Sequence, residues 1–211
     1  MQEMIQKIAD PELRAQVNRV VSFHGYLSTG AFVGIQMLNL ARRVLNVSKE
    51  ERLFVICETY NCLPDPFQVL AGCTIGNKGL TIRDYGKMAA TVSLRGPPGG
   101  LVKAVRITLD PAKTVRYPRL HDWFMNTCKV PHSEAVSLLL EAKENVYTWE
   151  RLDLEVPVKP AKVIRLCESC GESFTMRESS ALCQTCLDAS VLKSHPSSTS
   201  SLAEDFRCPQ S

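Results

Sequence analysis

Four cysteines near the C-terminus have the type and spacing of a metal cage. Cys167 and Cys170 form one C-x-x-C pair, Cys183 and Cys186 a second, with twelve residues between the pairs. Each pair delivers two thiolates from one tight loop. Two such pairs can close a tetrahedral shell around one zinc ion, with each sulfur about 2.3 Å from the metal. Gly171 follows Cys170 directly, where a knuckle often needs positive φ. Four protein ligands leave no open position, so this zinc is expected to be structural. A redox C-x-x-C would need a strand-to-helix setting, which neither pair shows.

A second group of chemically capable residues lies upstream. Cys57, Glu58, Cys62, Asp65 and Cys73 fall within seventeen positions, and His24 sits in a glycine-flanked stretch before them. Metal-type side chains beside a helix start and several glycines suggest a built site. Each residue also has a plainer reading. Cys62 is either a thiolate ligand of an open metal site or a small buried hydrophobe. His24 is either a ligand or an imidazole hydrogen-bonded in a tight loop. Glu58 is a general base, the carboxylate partner of His24, or one half of an ion pair with Lys or Arg. Asp65, between two prolines, reads as a helix N-cap. Cys57 reads as core, and Cys73 could face either way. His121, His132, His195 and Cys128 receive no role.

The elements that must position these groups follow from periodicity. Residues 1–20 carry apolar side chains at helical spacing (Met4, Ile5, Ile8, Leu13, Val17, Val20), and a nearly all-apolar helix is predicted over 30–46. Residues 52–58 read as a strand, and a helix follows Pro64. Strands are predicted over 80–84, 86–95 and 101–109, the last two joined by a glycine- and proline-rich hairpin turn. Helices follow over 119–128 and 132–146, with Ser133 as N-cap of the second. Residues 150–160 read as a polar linker, and the chain from 189 as a disordered tail. Helices and strands mix without steady β-α-β alternation. The fold class expected is therefore α+β, a largely antiparallel sheet packed with helices, plus a small C-terminal zinc ribbon. The expected division is a core domain over 1–155, the ribbon over 156–190 and a tail over 191–211.

Composition sets the frame. The 211 residues are 45% hydrophobic and 22% charged, an ordinary globular balance. A net charge of +3 is too small to argue for nucleic acid as a partner. No segment reaches the roughly 18 apolar residues of a membrane span, and the N-terminus has no signal-peptide core. A cytoplasmic protein with no membrane partner is expected, its nine cysteines serving as ligands or buried thiols rather than disulfides.

The ordered string from Glu58 to Lys87 resembles the FmdE component of formylmethanofuran dehydrogenase and its stand-alone relatives. The matching residues are Phe23-His24-Gly25, Glu58-Thr59, Cys62, Asp65, Gln68, Leu70, Gly72-Cys73-Thr74, Gly76 and Asp84-Tyr85-Gly86-Lys87, with the four-cysteine ribbon beyond them. The resemblance implies an α+β core similar to the catalytic domain of glyceraldehyde-3-phosphate dehydrogenase, a likeness of architecture that transfers no activity. It implies a second metal site at His24 and Cys62, and a homodimer that could stand beside other dehydrogenase components. The molybdenum or tungsten chemistry of that complex belongs to those other components, so this chain is not expected to be redox-active alone. One loop departs from the family pattern His-Gly-His-x-Cys-Pro-Gly: Tyr26, Ser28 and Thr29 replace its second His, its Cys and its Pro. Two functions follow. One is a metal-binding protein with a small-molecule site in the core. The other is a regulatory or interaction module whose ribbon engages protein or nucleic acid, an option kept open by Lys159, Lys162 and Arg165 beside it.

Overall fold

A computed structural model describes residues 2–158, 161–176 and 179–194. They fall into two units, one ending at Pro157 and one beginning at Val158. In the first unit, Asp10 punctuates the N-terminal amphipathic stretch. Its carboxylate accepts from the backbone N–H groups of Glu12 and Leu13, and Pro11 opens the helix, where it sacrifices no intrahelical bond. The single helix expected over 1–20 is thus two, α1 (Gln2–Gln6) and α2 (Pro11–His24). Helix α2 runs past Val20, so His24 ends a helix rather than sitting in a loop.

Helix α3 (Thr29–Leu45) is capped by the Ser28 hydroxyl and is buried along almost its whole length. It is the axis of the core, as its nearly all-apolar sequence requires. Strand β1 (Leu53–Cys57) and helix α4 (Pro64–Ala71) come next. Then come β2 (Leu80–Ile82), β3 (Ala89–Leu94) and β4 (Leu101–Leu109). Three helices follow: α5 (Pro111–Thr114), α6 (Pro118–Met125) and α7 (His132–Ala142). Helix α7 starts one residue before Ser133 and has no side-chain cap, and its last expected turn is a 3₁₀ segment, Lys143–Val146.

Strand β5 (Tyr147–Glu155) replaces most of the expected linker. Its residues are mainly polar because it is an edge strand, exposed on one side. Composition alone could not distinguish that from a connection. The sheet order is β2-β1-β3-β4-β5, antiparallel except for β1 with β2. One face carries Val55, Val92 and Val105 in register, all buried in the main core. Helix α3 lies across β3 and β4 on this face, and α4 packs on β1. The architecture is α+β with a mostly antiparallel sheet.

The second unit contains a two-stranded antiparallel hairpin, β6 (Val163–Leu166) and β7 (Ser173–Met176), followed by α8 (Gln184–Ser194). The chain is therefore helical to Ser194, where a tail was expected from 189. The remainder of that expected tail, with His195, lies outside the described residues. Among the described residues, no helix is long and apolar enough to cross a membrane. Cys57, Cys62, Cys73, Cys167, Cys170, Cys183 and Cys186 are free thiols. Cys128 is disulfide-bonded, contrary to the expectation of thiols throughout.

Candidate metal centres

The ribbon centre is built from two knuckles. Cys167 and Cys170 lie in the turn between β6 and β7, where Gly171 adopts φ 73° and donates its N–H to the Cys167 carbonyl at 2.9 Å. The positive φ expected at this glycine is what closes the turn. Cys183 and Cys186 sit at the start of α8. All four sulfurs lie within 4.8 Å of one another. Cys170 and Cys183 are 3.8 Å apart, about the separation of two thiolates placed 2.3 Å from a tetrahedral centre. The Cys183 N–H also donates to the Cys167 sulfur at 3.3 Å. Backbone N–H groups, that of Cys170 first and then that of Cys183, hold the Cys167 thiol down at about 6. The donor set therefore fits a metal ion in the thiolate form. Among the described residues, this is the single group of three or more His, Cys, Asp or Glu ligands close enough to share an ion.

The body site starts from two glycines one turn apart on α3. At Gly34, an added Cβ would fall 2.7 Å from the Leu63 carbonyl and 3.0 Å from Pro66. At Gly30 it would meet the Cys62 side chain at 3.4 Å. The absence of side chains there lets residues 62–66 lie directly on α3. That approach sets Cys62, half-buried, against the first turn of α3. It also carries Asp65, in the first turn of α4, to the end of α2.

Asp65 consequently does not cap its helix. The residue before α4 is Leu63, and no side chain caps it. Instead Asp65 Oδ2 lies 2.6 Å from His24 Nδ1, and its Oδ1 accepts from Gln68 at 3.4 Å. The turn at Gly25, with φ 92°, stops α2 just after His24 and fixes the imidazole there. His24 Nε2 is buried and has no hydrogen-bond partner. A histidine held at Nδ1 by a carboxylate, with Nε2 bare, is in the form that metal-ligating histidines usually take. The residues thus fit an ion at Nε2, with Cys62 the nearby soft ligand from the matched motif.

Glu58 is the ion-pair reading of the three left open. Its carboxylate takes two hydrogen bonds from Arg106, at 2.7 and 2.8 Å. The Arg106 guanidinium holds the Glu58 carboxyl below the usual range, with burial opposing it and the coulombic pull of Arg106 and Lys87 adding to it. Glu58 therefore locks the end of β1 to β4, and it is not the partner of His24. Cys57 and Cys73 face the core, where burial pushes their thiols up to about 12 and about 11. Neither is a ligand in this form.

Sequence reasoning missed two residues. Asp65 was visible but hidden by its prolines, which pointed to a helix cap. His132 carried no local signal. It reaches Thr29, 103 positions away, and contacts it through Nδ1. Only the packing of α7 beside α3 makes that contact.

Three comparisons bear on this arrangement. Residues 23–154 match a family model described as "FmdE, Molybdenum formylmethanofuran dehydrogenase operon". A "Probable S-adenosyl-L-methionine-binding protein" of Archaeoglobus fulgidus is 27% identical over 192 residues, covering 80% of this chain and 51% of its own. The chain thus spans about half the length of the curated relative it matches. The crystal structure of an FmdE-like protein of tungsten formylmethanofuran dehydrogenase, from Syntrophus aciditrophicus, superposes with a TM-score of 0.68 at 28% identity. That match covers 84% of this chain and 93% of the other.

Proposed function

The chain belongs to the FmdE family, and from that premise we propose that it is a two-site metal-binding protein. One site is the ribbon, where Cys167, Cys170, Cys183 and Cys186 hold a structural zinc. The other is an open site in the body, where His24 and Cys62 hold a second ion with positions left for a small molecule. The observation that carries the open site is the buried, unpartnered Nε2 of His24, whose Nδ1 is fixed by Asp65. A buried polar atom without a partner is costly, and an ion at that atom would satisfy it. Zinc in the ribbon is supported by the four-thiolate set, which matches its preferred coordination.

The same reading makes the body a binding module that acts as a homodimer or alongside dehydrogenase components. Strand β5 ends the five-stranded sheet with nine residues, and an edge of that length is suited to pairing with another chain. The printed name of the Archaeoglobus relative adds S-adenosylmethionine as a ligand to try. The exposed rings of Phe23 and Tyr26 beside His24 offer stacking surface for an adenine.

Metal analysis of the purified chain tests the proposal. Wild type should carry two ions per chain. Cys62→Ala and His24→Ala should each carry one and keep the ribbon intact. A wild-type content of one ion, unchanged by Cys62→Ala, would overturn the open site.

A further inference from the structure

His132 lies outside the sequence motifs described above, yet α7 brings it to the same cluster. Its Nδ1 stands 3.2 Å from the Thr29 backbone nitrogen and 2.8 Å from the Thr29 hydroxyl. A backbone N–H can only donate, so Nδ1 is the acceptor and the neutral ring carries its proton on Nε2. Thr29 is wholly buried as the first residue of α3. The inner side of the imidazole is therefore anchored to a rigid helix start, and the outer side presents an N–H.

The His132 ring centroid lies 5.8 Å from that of Tyr26, which lies 5.0 Å from that of His24. The three rings form one row, with Tyr26 between two imidazoles and more than half of Tyr26 exposed. Among the described residues, neither the Tyr26 hydroxyl nor His132 Nε2 has a hydrogen-bond partner. The row has a polarity. Asp65 leaves His24 a bare lone pair at its inner end, whereas Tyr26 and His132 offer an O–H and an N–H at the outer end. The inner end suits a cation and the outer end suits acceptor oxygens. Two neutral donors match the two oxygens of a carboxylate. A phosphoryl group would call for Arg or Lys in their place.

We infer that His132 is a specificity residue of the body site, donating with Tyr26 to a small carboxylate bound beside the ion at His24. The inference rests on the open-site reading of the preceding section. It goes beyond that reading by naming the ligand class and a residue that no motif marks.

The test uses the full chain loaded with cobalt(II) at both sites. Subtracting the absorption spectrum of Cys62→Ala from that of wild type isolates the body ion. Acetate is then titrated against that difference band. Acetate should perturb it in wild type. His132→Asn keeps an acceptor toward Thr29 but removes the outer donor, and it should weaken acetate binding about tenfold, the effect of one lost hydrogen bond. His132→Gln, which restores an outer N–H, should recover part of the loss. Tyr26→Phe changes only an exposed hydroxyl and should also weaken acetate while leaving the cobalt band in place, which covers the case that position 132 does not tolerate replacement. A body cobalt band that acetate does not perturb, or equal acetate affinity in wild type, His132→Asn and Tyr26→Phe, would overturn the inference and leave the two-site proposal standing. Identical cobalt spectra for wild type and Cys62→Ala would overturn both.

Discussion

The Asp65 carboxylate and the His24 imidazole meet at 2.6 Å, although α2 ends and α4 begins 41 positions apart in the chain. The contact determines which nitrogen of His24 is left for chemistry. With Nδ1 engaged, only Nε2 can accept a proton, a ligand or an ion. Asp65→Asn removes the charge while keeping the shape. It should reduce the affinity of the body site for cobalt(II) about 10- to 100-fold, the usual effect of losing an orienting carboxylate. The ribbon should keep its ion. Competition with a chelator of known affinity, followed by the cobalt difference spectrum, measures both.

Gly34→Ala tests the close approach that delivers Asp65 and Cys62. The new methyl would meet the Leu63 carbonyl at 2.7 Å, and a backbone atom cannot swing aside. The expected cost is about 1–3 kcal/mol, typical of overpacking. It should be read as a lower midpoint in urea unfolding, with weaker metal binding at the body. Gly30→Ala, whose methyl would reach ordinary contact at 3.4 Å with Cys62, should cost less.

The Glu58–Arg106 pair gives the body an acid-sensitive lock. Arg106 lowers the Glu58 carboxyl below its ordinary 4.5. A depressed carboxylate contributes its full stability above the unfolded value, and the contribution fades as pH falls through the folded one. Wild type should therefore lose stability progressively below about pH 4.5, while Glu58→Gln should be flatter with pH over that range. At pH 7 Glu58→Gln should be less stable by about 1.5–3 kcal/mol, the range for hydrogen bonds to charged groups. Unfolding curves at pH 7, 5 and 3.5 separate the two proteins.

Thiol reactivity should sort the body cysteines by position. Cys57 and Cys73 are buried and held as thiols far above neutral pH, so iodoacetamide at pH 8 should leave them unmodified in the native protein. Cys62 is half-buried at the surface of the site. It should be alkylated in metal-free protein and protected when the body ion is restored. Peptide mapping by mass spectrometry reads each cysteine directly. Alkylation of Cys73 before Cys62 would contradict this assignment.

The order of the elements was legible because local chemistry dictates it. Apolar spacing marked the helices, the 95–100 turn marked the β3–β4 hairpin, and C-x-x-C spacing marked the ribbon with its Gly171 knuckle. Two elements escaped for the same reason. Strand β5 is a polar edge strand, and α1 and α2 are divided only by the Asp10 cap. In neither case does periodicity record which side faces water or where the backbone turns.

The sequence by itself determined the four-thiolate ribbon and the family string from Glu58 to Lys87, because ligand spacing in tight loops and glycine at fixed turns are local demands. Only the tertiary structure decided the partners. It gave Glu58 to Arg106, Asp65 to His24 and His132 to Thr29, over separations of 48, 41 and 103 residues. Each partnership depends on how closely helices and strands pack. That closeness is set by features such as the bare face of α3 at Gly30 and Gly34, whose effect appears only once another segment lies against it.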